Sequence, residues 1–588
     1  MDSVALNGKA LHEEMERVIA CRHPHLLPLS PDEIGTAQQA GEPSLPIPAA
    51  DQIAVLNLWN CGCRLLLLDE PSAALVEWVV DQLPGYRGRM VILALKERTL
   101  LLTAMVASHL RGRLDQPGLY WVHASDLRAQ LQHVFLRNSL FLLRPEAISY
   151  HACSTTTLEE RQALDEMVVG FIDWFVAERE AHNRRFACLR TSRPRQLRVW
   201  SFALSGPGFY IHGPMLCALG QGLLEAGLEA EILPVEPDDP ALPHRLLDGL
   251  TRFCPSVFLC LNAPLEQAYR HFLNPEMAKS LPQARLVWLV DHPRFTVRCS
   301  FGERDLVWAV DGSYGHAARS MGAERVVVAP PAADLERDGV VRDELRSAVV
   351  FVGIVHDTSS FLDALAPWTR GRVEDLVERM IAGEDVIAAR GFLADAPPQD
   401  LEQSRPVFEE FCRRLGRDFP DDETKILFVA SVTASSRKRV QAVRALLPFR
   451  IHVYGNDAWR SVLGDASNDF FRGQALRHDL PDIYASAGIS LNCHSPQLPR
   501  GLNVRDFNVL RAGGCLLSDY VADMESGILE PGRDFVVFRD TESLREAVER
   551  LLRAPDERRE LAQSGHGAVL SRHLYRHRAL WLKSHLEC

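Results

Sequence analysis

An aspartate and a histidine, Asp291 and His292, directly follow the apolar run RLVWLV and precede a proline. The carboxyl ends of strands line the ligand cleft in a parallel α/β sheet, so both side chains are placed where a substrate would bind. A carboxylate or an imidazole there can act as the general base for a hydroxyl group. We predict Asp291 as the base, with His292 as its neighbour or substitute. The alternative is an aspartate that starts a proline-terminated turn.

A basic segment, SSRKRV at 435–440, follows the apolar stretch KILFVAS, which we expect to be a strand. Ser435 or Ser436 then fits the N-cap of a helix, and Arg437 and Lys438 would reach a pyrophosphate. A solvated basic turn explains the same residues equally well.

A second candidate ligand loop, Tyr454-Gly455-Asn456-Asp457, ends the apolar run FRIHV. Its position after a strand suits contact with a base or a ribose. Asn-Asp after glycine is also typical of an ordinary turn, which accounts for most of these residues. A third loop, SGPGFYIHG at 205–213, lacks the GxGxxG spacing, so we reject it as a dinucleotide fingerprint.

The elements that must position these residues fall into three blocks, as expected for 588 residues. In residues 1–195, short apolar runs alternate with helical patterns, which indicates a parallel sheet. Residues 196–345 form a compact unit of doubly wound type. Residues 346–588 begin with AVVFVGIVHD, continue with a charged, mostly helical insertion at about 357–423, and then resume strand-helix alternation. We therefore predict an α/β fold in three domains.

The bulk composition excludes several classes of protein. The formal net charge is -12, which does not favour binding to a nucleic-acid backbone. The 13 cysteines are scattered and odd in number, as in proteins of a reducing compartment. The N-terminus has no signal-peptide pattern, and no apolar run approaches the roughly 20 residues of a membrane span. We expect a cytoplasmic protein with no membrane span and no nucleic-acid partner.

Several of these segments, in this order, resemble the CgeB-like (spore maturation protein type) glycosyltransferases over about residues 199–580. The resemblance rests on VWLVDHPRF, VVFVGIVHD at 349–357, Tyr454-Gly455, and the stretch from SLNCHSPQ to DFVVFRD. It implies a GT-B fold of two Rossmann-like lobes. The acceptor would bind residues 196–345, and a nucleotide-sugar donor would bind residues 346–588. It also implies a bacterial enzyme and a protein or surface glycan as the acceptor.

The resemblance further implies that RGLNVRDFNVLRAGGC at 500–515 faces the phosphates and ribose of the donor. Asn503 and Arg505 become donor ligands, and Gly513-Gly514 permits close backbone approach. The family usually has Asp or Glu where this chain has Asn508, and related transferases grip the ribose hydroxyls with that carboxylate. Asparagine cannot make the charge-assisted hydrogen bonds. The alternative is a buried loop that ends in a glycine C-cap.

In a two-lobed transferase, the 205–213 loop lines the cleft from the acceptor side. Gly206 and Gly208 then border the cleft, and His212 would touch a donor phosphate or the acceptor. A lone histidine at a helix start is more often a capping or packing group. No acidic triplet of the metal-dependent transferases stands at a strand end, so we expect neither a metal nor another cofactor.

The first block resembles the Rossmann-like modules that precede such transferases. Its first strand leads to Asp69-Glu70-Pro71 rather than to a glycine-rich loop. Carboxylates and proline cannot offer the amide nest that an adenosyl cofactor needs. We predict a degenerate domain that binds no methyl donor and serves acceptor docking or assembly.

Two functions remain open at this point. The first is a metal-independent glycosyltransferase. The second is a non-catalytic nucleotide-sugar or glycan binding protein that retains the fold. Asn508 favours this alternative, because loss of the carboxylate is expected in an enzyme that has lost its activity.

Overall fold

The computed structural model of the chain describes residues 196–586 apart from 205–211, 236–241, 269–277, 279, 336, 342–344 and 418. Before residue 196 it describes 51–52, 54–55, 58, 65–69, 73–82, 90–95, 119–123, 127–137, 148–152 and 158–191. The chain forms two compact units. One comprises residues 1–192, 235–252 and 271–274, and the other comprises residues 193–234, 253–270 and 275–588. Across the described residues, no helix is long and apolar enough to cross a membrane.

The first unit contains a parallel four-stranded sheet in the order β3-β2-β1-β4, which is the strand order of a Rossmann half-domain. Asp69 is the last residue of β1, whereas Glu70 and Pro71 lie outside the described residues. That this domain binds no methyl donor stays a prediction. The elements are β1 (Leu65–Asp69), α1 (Ala73–Gln82), β2 (Met90–Leu95), β3 (Leu119–His123), α2 (Leu127–Arg137), β4 (Ile148–Ala152) and α3 (Leu158–Thr191).

A six-stranded sheet in the order β10-β9-β8-β7-β5-β6 forms what we call the N-lobe. Its central strands are buried, and Trp288 stacks on Trp308 with ring centroids 4.5 Å apart. The chain winds in opposite directions from β5 and β7, which places a topological switch point between them. The elements in this part of the chain are β5 (Arg198–Leu204), α4 (His212–Glu225), β6 (Glu229–Val235), α5 (Leu242–Phe253), β7 (Val257–Leu261), α6 (Leu265–Ala268), β8 (Ala284–Leu289), α7 (Pro293–Thr296), β9 (Asp305–Ala309), α8 (Gly312–Ser320) and β10 (Arg325–Val328). Of these, α5 belongs to the first unit as far as residue 252.

A five-stranded parallel sheet in the order β12-β11-β13-β14-β15 forms the C-lobe. Its switch point lies between β11 and β13. Its strands are short, and β13 and β14 are fully buried, as strands covered on both faces must be. The elements of the C-lobe outside the insertion are β11 (Val349–Val352), β12 (Ile451–Tyr454), α13 (Ala458–Leu463), α14 (Ser467–Phe470), α15 (Leu480–Ser486), β13 (Ile489–Asn492), α16 (Val504–Arg511), β14 (Leu516–Asp519), β15 (Val536–Phe538), α17 (Thr541–Arg553), α18 (Pro555–Arg572) and α19 (Tyr575–Leu586).

The helical insertion is longer than predicted, and the expected strand KILFVAS was wrong. These residues belong to a 24-residue helix that Asp421 caps by accepting a hydrogen bond from the Thr424 amide. Residues 424–436 are all buried, and a run buried on every side has no helical periodicity to distinguish it from a strand. The insertion helices are α9 (Ser359–Asp363), α10 (Pro367–Ile381), α11 (Pro398–Arg414) and α12 (Asp422–Ala445).

Within the second unit, elements of the two lobes pack against each other. Helix α19, at the end of the C-lobe sequence, packs on α4 of the N-lobe. A Cβ at Gly222 would lie 2.5 Å from the backbone of Tyr575, so this close approach requires glycine. The insertion also packs on the N-lobe, because Phe295 contacts the rings of Phe419 and Phe428. The predicted α/β fold of Rossmann-like lobes is confirmed by the sheet topology.

Candidate functional site

Two arginines lie at the switch point of the C-lobe sheet. Arg505, in the first turn of α16, donates from Nη1 to Oδ1 of Asn492 at 3.0 Å, at the end of β13. Arg439, on α12, donates from Nη1 to the carbonyl of Ile354 at 2.7 Å, in the loop after β11. A Cβ at Gly353 would lie 3.7 Å from Nη2 of Arg505. Both guanidinium groups therefore lie where doubly wound sheets bind their ligands.

The two guanidinium groups affect each other electrostatically. Burial and the neighbouring charge of Arg505 lower the pKa of Arg439 to about 10. Bringing two like charges together costs free energy, which a bound anion would recover. Arginine presents several donors in a planar fork that matches phosphate oxygens. The pair is therefore suited to a phosphate or diphosphate.

Lys438 adds a third cation beside this pair. Its Nζ forms an ion pair with Oδ2 of Asp519, at the end of β14, and 24% of the side chain remains exposed. Lys438 also lines a cavity of about 590 Å³ above the ends of β13, β14 and β15. The other lining residues include His494, Tyr520 and Arg539. Lys438 can thus meet a ligand that enters this cavity.

Arg437 was predicted as a donor ligand beside Lys438, but the structure does not bring it to the switch point. Its guanidinium pairs with Glu374 on α10, with Nη2 at 2.8 Å from Oε1. Residues two apart on a helix point about 200° apart, so Arg437 and Arg439 face opposite sides of α12. Ser435 and Ser436 are buried inside this helix and do not form its N-cap, and Ser436 accepts from the amide of His356.

Asn503 begins helix α16 and caps it. Its Oδ1 accepts from the amides of Arg505 at 2.8 Å and Asp506 at 3.3 Å. Asp506 completes a capping box by accepting from the amide of Asn503. These contacts orient the first turn of α16, which carries Arg505, so Asn503 shapes the site through the backbone.

The glycines of the predicted donor site have structural roles. Gly513, with a φ of 85°, and Gly514 follow the last turn of α16, so they lie at the opposite end of that helix from Asn503. A Cβ at Gly514 would lie 2.6 Å from the carbonyl oxygen of Tyr484. These positions match the alternative of a glycine C-cap, and donor contact by this pair stays a prediction.

The loop after β12 packs against the loop after β11, beside the switch point. A Cβ at Gly455 would overlap the carbonyl oxygen of Gly353, so glycine is required there for packing. Asn456 fixes the loop after β11 through hydrogen bonds of 3.0 and 2.8 Å with the backbone of Val355. Tyr454 ends β12, which neighbours β11. Donor contact by Tyr454 stays a prediction.

Asn508 was predicted to face the ribose, but the structure buries it against Asp334. Its Nδ2 donates to Oδ1 of Asp334 at 2.6 Å, and its Oδ1 accepts from the amide of Asp334 at 3.0 Å. Arg477 approaches the other carboxylate oxygen of Asp334 at 3.3 Å. Because both ends of the amide are used, Asn508 connects α16 to the segment that follows the N-lobe.

A second cluster lies at the carboxyl ends of the N-lobe strands. Asp291 follows β8, Asn262 follows β7, and His212 begins α4 after β5. Asn262 donates from Nδ2 to Oδ2 of Asp291 at 2.8 Å and accepts from the amides of Val290 and Asp291. Nε2 of His212 lies 3.5 Å from Oδ2 of Asp291, and the two side chains are 32% and 28% exposed. Gly206 and Gly208 lie outside the described residues.

His292, predicted as a catalytic neighbour of Asp291, is a structural residue. Its ring is buried against Phe295 and Tyr314, and its Nδ1 accepts from the amide of Arg294, which caps α7. Burial lowers the pKa of His292 to about 3, so the ring is neutral and held in place. His212, on a different element, is the histidine that accompanies Asp291.

Asp311 connects the N-lobe to the loop that leads into α16. Its Oδ1 accepts from the amide of Ser313 at the start of α8, while Oδ2 accepts from the amides of Arg500 at 3.0 Å and Gly501 at 2.6 Å. The position of α16, and with it Arg505, therefore depends on both lobes.

Five residues of these sites were not among those predicted from the sequence: Arg439, His494, Asp506, Asp519 and Asn262. Arg439 was available from the sequence, since in one continuous helix it lies on the same face as Ser435 and Ser436. Asn262 and His494 follow strands, Asp519 ends β14, and Asp506 lies in the first turn of α16, but the tertiary structure alone brings these residues to their partners. No group of three or more His, Cys, Asp and Glu side chains that could hold a metal ion occurs among the residues described.

One comparison with known proteins gives a family match, and it lies within the C-lobe sequence. A family model described as glycosyl transferase-like matches residues 436–583, which run from the second half of α12 into α19. No curated protein sequence matches the chain.

Among solved structures, the chain is similar to sucrose-phosphate synthase from Thermosynechococcus elongatus, at 11% identity and a TM-score of 0.35, covering 66% of this chain and 98% of that one. Anabaena HepE in complex with UDP and glucose matches at 11% identity and a TM-score of 0.34, with the same coverage. A glycosyltransferase from Rickettsia africae matches at 8% identity and a TM-score of 0.35, covering 67% and 99%.

Proposed function

We propose that this protein is a metal-independent glycosyltransferase of GT-B type that transfers a sugar from a nucleotide-sugar donor to an acceptor hydroxyl. The observation that carries the proposal is the convergence of Arg439 and Arg505 at the C-lobe switch point, with Lys438 beside them. The family model that matches residues 436–583 supports the same class. A CgeB-like acceptor, such as a protein or surface glycan, and a cytoplasmic location remain part of the proposal.

In the proposed reaction, the diphosphate of the donor occupies the space between the two guanidinium groups. When the bond from the sugar to the diphosphate breaks, negative charge develops on the leaving phosphate. Fixed cations stabilise that charge without a metal ion, because they are already oriented before the reaction. Lys438 extends the positive potential toward the cavity.

The N-lobe cluster supplies the proton acceptor. Asp291 is held by Asn262 and lies beside His212, and either group can take the proton of an acceptor hydroxyl. The positive φ of Asn262, 58°, is a costly conformation for a non-glycine residue and is common at functional sites. We keep His212 and Asp291 as candidates for catalysis and propose no catalytic role for His292, because it is buried and caps α7.

Donor binding is tested by isothermal titration calorimetry with UDP, GDP and their sugars. Replacing Arg439 or Arg505 by glutamine removes a charge-assisted contact worth about 1.5–3 kcal/mol, so we expect the Kd to rise about 10- to 150-fold. The matched control is Arg437→Gln, which changes the same residue type on the same helix but faces Glu374. Equal losses in the control and in the two test variants would contradict the assignment.

Turnover is tested by slow hydrolysis of the nucleotide-sugar that binds. We expect Asp291→Asn to lower kcat about 100- to 10,000-fold with little change in the Kd of the donor, because a general base acts only on the reaction. Donor binding by the wild-type chain without any hydrolysis or transfer would favour the non-catalytic binding protein instead.

A further inference from the structure

His494 lies between two carboxylates in the interior of the C-lobe. Its Nδ1 is 2.7 Å from Oδ1 of Asp519, and its Nε2 is 2.8 Å from Oδ2 of Asp506. Its amide also donates to Asp519 at 2.8 Å. The side chain is 1% exposed, so water does not compensate for any of these contacts.

The geometry identifies the protonation state of this ring. A neutral imidazole carries one N–H, so it can donate to only one of the two aspartates. Its other nitrogen would then place a lone pair against a carboxylate oxygen at hydrogen-bond distance, which is repulsive. An imidazolium donates to both carboxylates. The pKa agrees, because burial alone would lower it, yet the charges of Asp506 and Asp519 raise it to about 9.

These contacts continue on both sides of the histidine. Asp519 meets Lys438 with its second oxygen. Asp506 accepts from Nδ2 of Asn492 at 2.6 Å with its second oxygen, and Asn492 in turn accepts from Arg505. One unbroken series of side chains therefore connects the two cations at either side of the diphosphate site, in the order Lys438, Asp519, His494, Asp506, Asn492, Arg505.

We propose that His494 is a positioning residue of the donor site, whose cationic ring holds Asp506 and Asp519 so that Lys438 and Arg505 remain available to the diphosphate. The proposal rests on the proposed function. In the series, three cationic groups face two carboxylates, which leaves an excess positive charge for the ligand. Without the charge of His494, the two carboxylates would neutralise Lys438 and Arg505, and the affinity for an anion would fall.

The pH dependence follows from the groups that surround the ring. Asp506 contacts the ring from α16 and Asp519 contacts it from β14. Lys438 and Arg439, on α12, act on Asp519 rather than on the ring, and Arg505 acts on Arg439. Asp519 stays ionised, because the charges of His494 and Lys438 outweigh burial and keep its pKa well below the usual range. Cys493, the adjacent residue, stays a neutral thiol, because burial raises its pKa to about 12. His494 therefore loses its charge as pH rises through about 9, the pKa to which the two aspartates raise it.

The test compares the affinity of the full-length chain for UDP and for inorganic pyrophosphate by calorimetry from pH 7 to pH 10. For the wild type, we expect constant affinity up to about pH 8 and a loss of at least tenfold as pH passes through about 9. His494→Gln should bind at least tenfold more weakly at pH 7 and should lack the alkaline step. Lys438→Arg, which keeps its charge, should retain the step and so excludes lysine titration as its cause.

Two controls separate this inference from a general loss of folding. His452→Gln, on the edge strand β12 of the same sheet, should leave both affinities unchanged. Nitrogen-15 histidine spectra of the wild type should show an imidazolium signal at pH 8 that is missing from His494→Gln. If the wild type binds UDP but His494→Gln binds it equally well, or if no imidazolium persists at pH 8, the inference is overturned. If the wild type binds neither UDP nor pyrophosphate, the proposed function fails first.

Discussion

Replacing Asn508 by aspartate tests whether this position binds the ribose or connects the lobes. The resemblance to the CgeB-like family implies that a carboxylate here would restore donor binding. The structure implies the opposite, because the Nδ2 of Asn508 donates to Oδ1 of Asp334 at 2.6 Å in a buried setting. Asn508→Asp would place two carboxylate oxygens at that distance.

The magnitude follows from two competing effects. Two ionised carboxylates 2.6 Å apart repel by about 6 kcal/mol at an effective dielectric constant of about 20. Protonating one of them at pH 7 costs about 4 kcal/mol, since an ordinary aspartate titrates near pH 4. Protonation is cheaper, and the shared proton recovers part of a hydrogen bond. We therefore expect a loss of about 2–4 kcal/mol in the free energy of unfolding at pH 7.

The sign of the pH dependence is set by the extra proton. The folded variant binds a proton that the unfolded chain releases above about pH 4, so the penalty grows from pH 4 to pH 7 and shrinks on acidification. Thermal melting of variant and wild type between pH 5 and pH 8 measures it. Asn503→Asp is the matched control, because Asn503 uses its oxygen to cap α16 and aspartate caps equally well. This reasoning would be refuted if Asn508→Asp had the same melting temperature as the wild type at pH 8 and bound UDP more tightly.

Three further predictions concern the supports of the site. Asp311→Ala removes the acceptor for the amides of Arg500 and Gly501, and we expect a lower melting temperature and at least tenfold weaker UDP binding by calorimetry; unchanged UDP affinity would show that the lobes position α16 independently. Gly222→Ala places a methyl group 2.5 Å from the backbone of Tyr575, so overpacking should cost about 1–3 kcal/mol in thermal unfolding, whereas Gly371→Ala, which meets nothing within 4 Å, should cost none. The raised pKa of His494 stabilises the fold fully below about pH 6.5 and is lost as pH rises through about 9, so the stability advantage of the wild type over His494→Gln should shrink across that window in thermal melts; a constant difference would contradict the assignment.

The local patterns of the sequence determined the class of the fold. A short apolar run in the sequence indicates a buried strand, because both faces of a parallel strand are covered. The residues that follow such a run then form the loop at the carboxyl end of the strand. This placed β8 before Asp291, β12 before Gly455, and α16 after Asn503. The α/β fold was predictable for that reason, whereas KILFVAS failed because complete burial removes periodicity.

The partners of the candidate residues were decided by the tertiary structure. Asp291 and His212 are separated by 79 residues, and they meet because β5 and β8 end at the same edge of one sheet. Arg439 and Arg505 meet because a helix from the insertion crosses the switch point, which no local pattern specifies. The sequence by itself determined which residues stand at the ends of elements, since that depends on neighbours along the chain. Only the tertiary structure decided which side chains face a ligand and which, like His292 and Asn508, are used to hold the protein together, because burial and partners depend on distant segments.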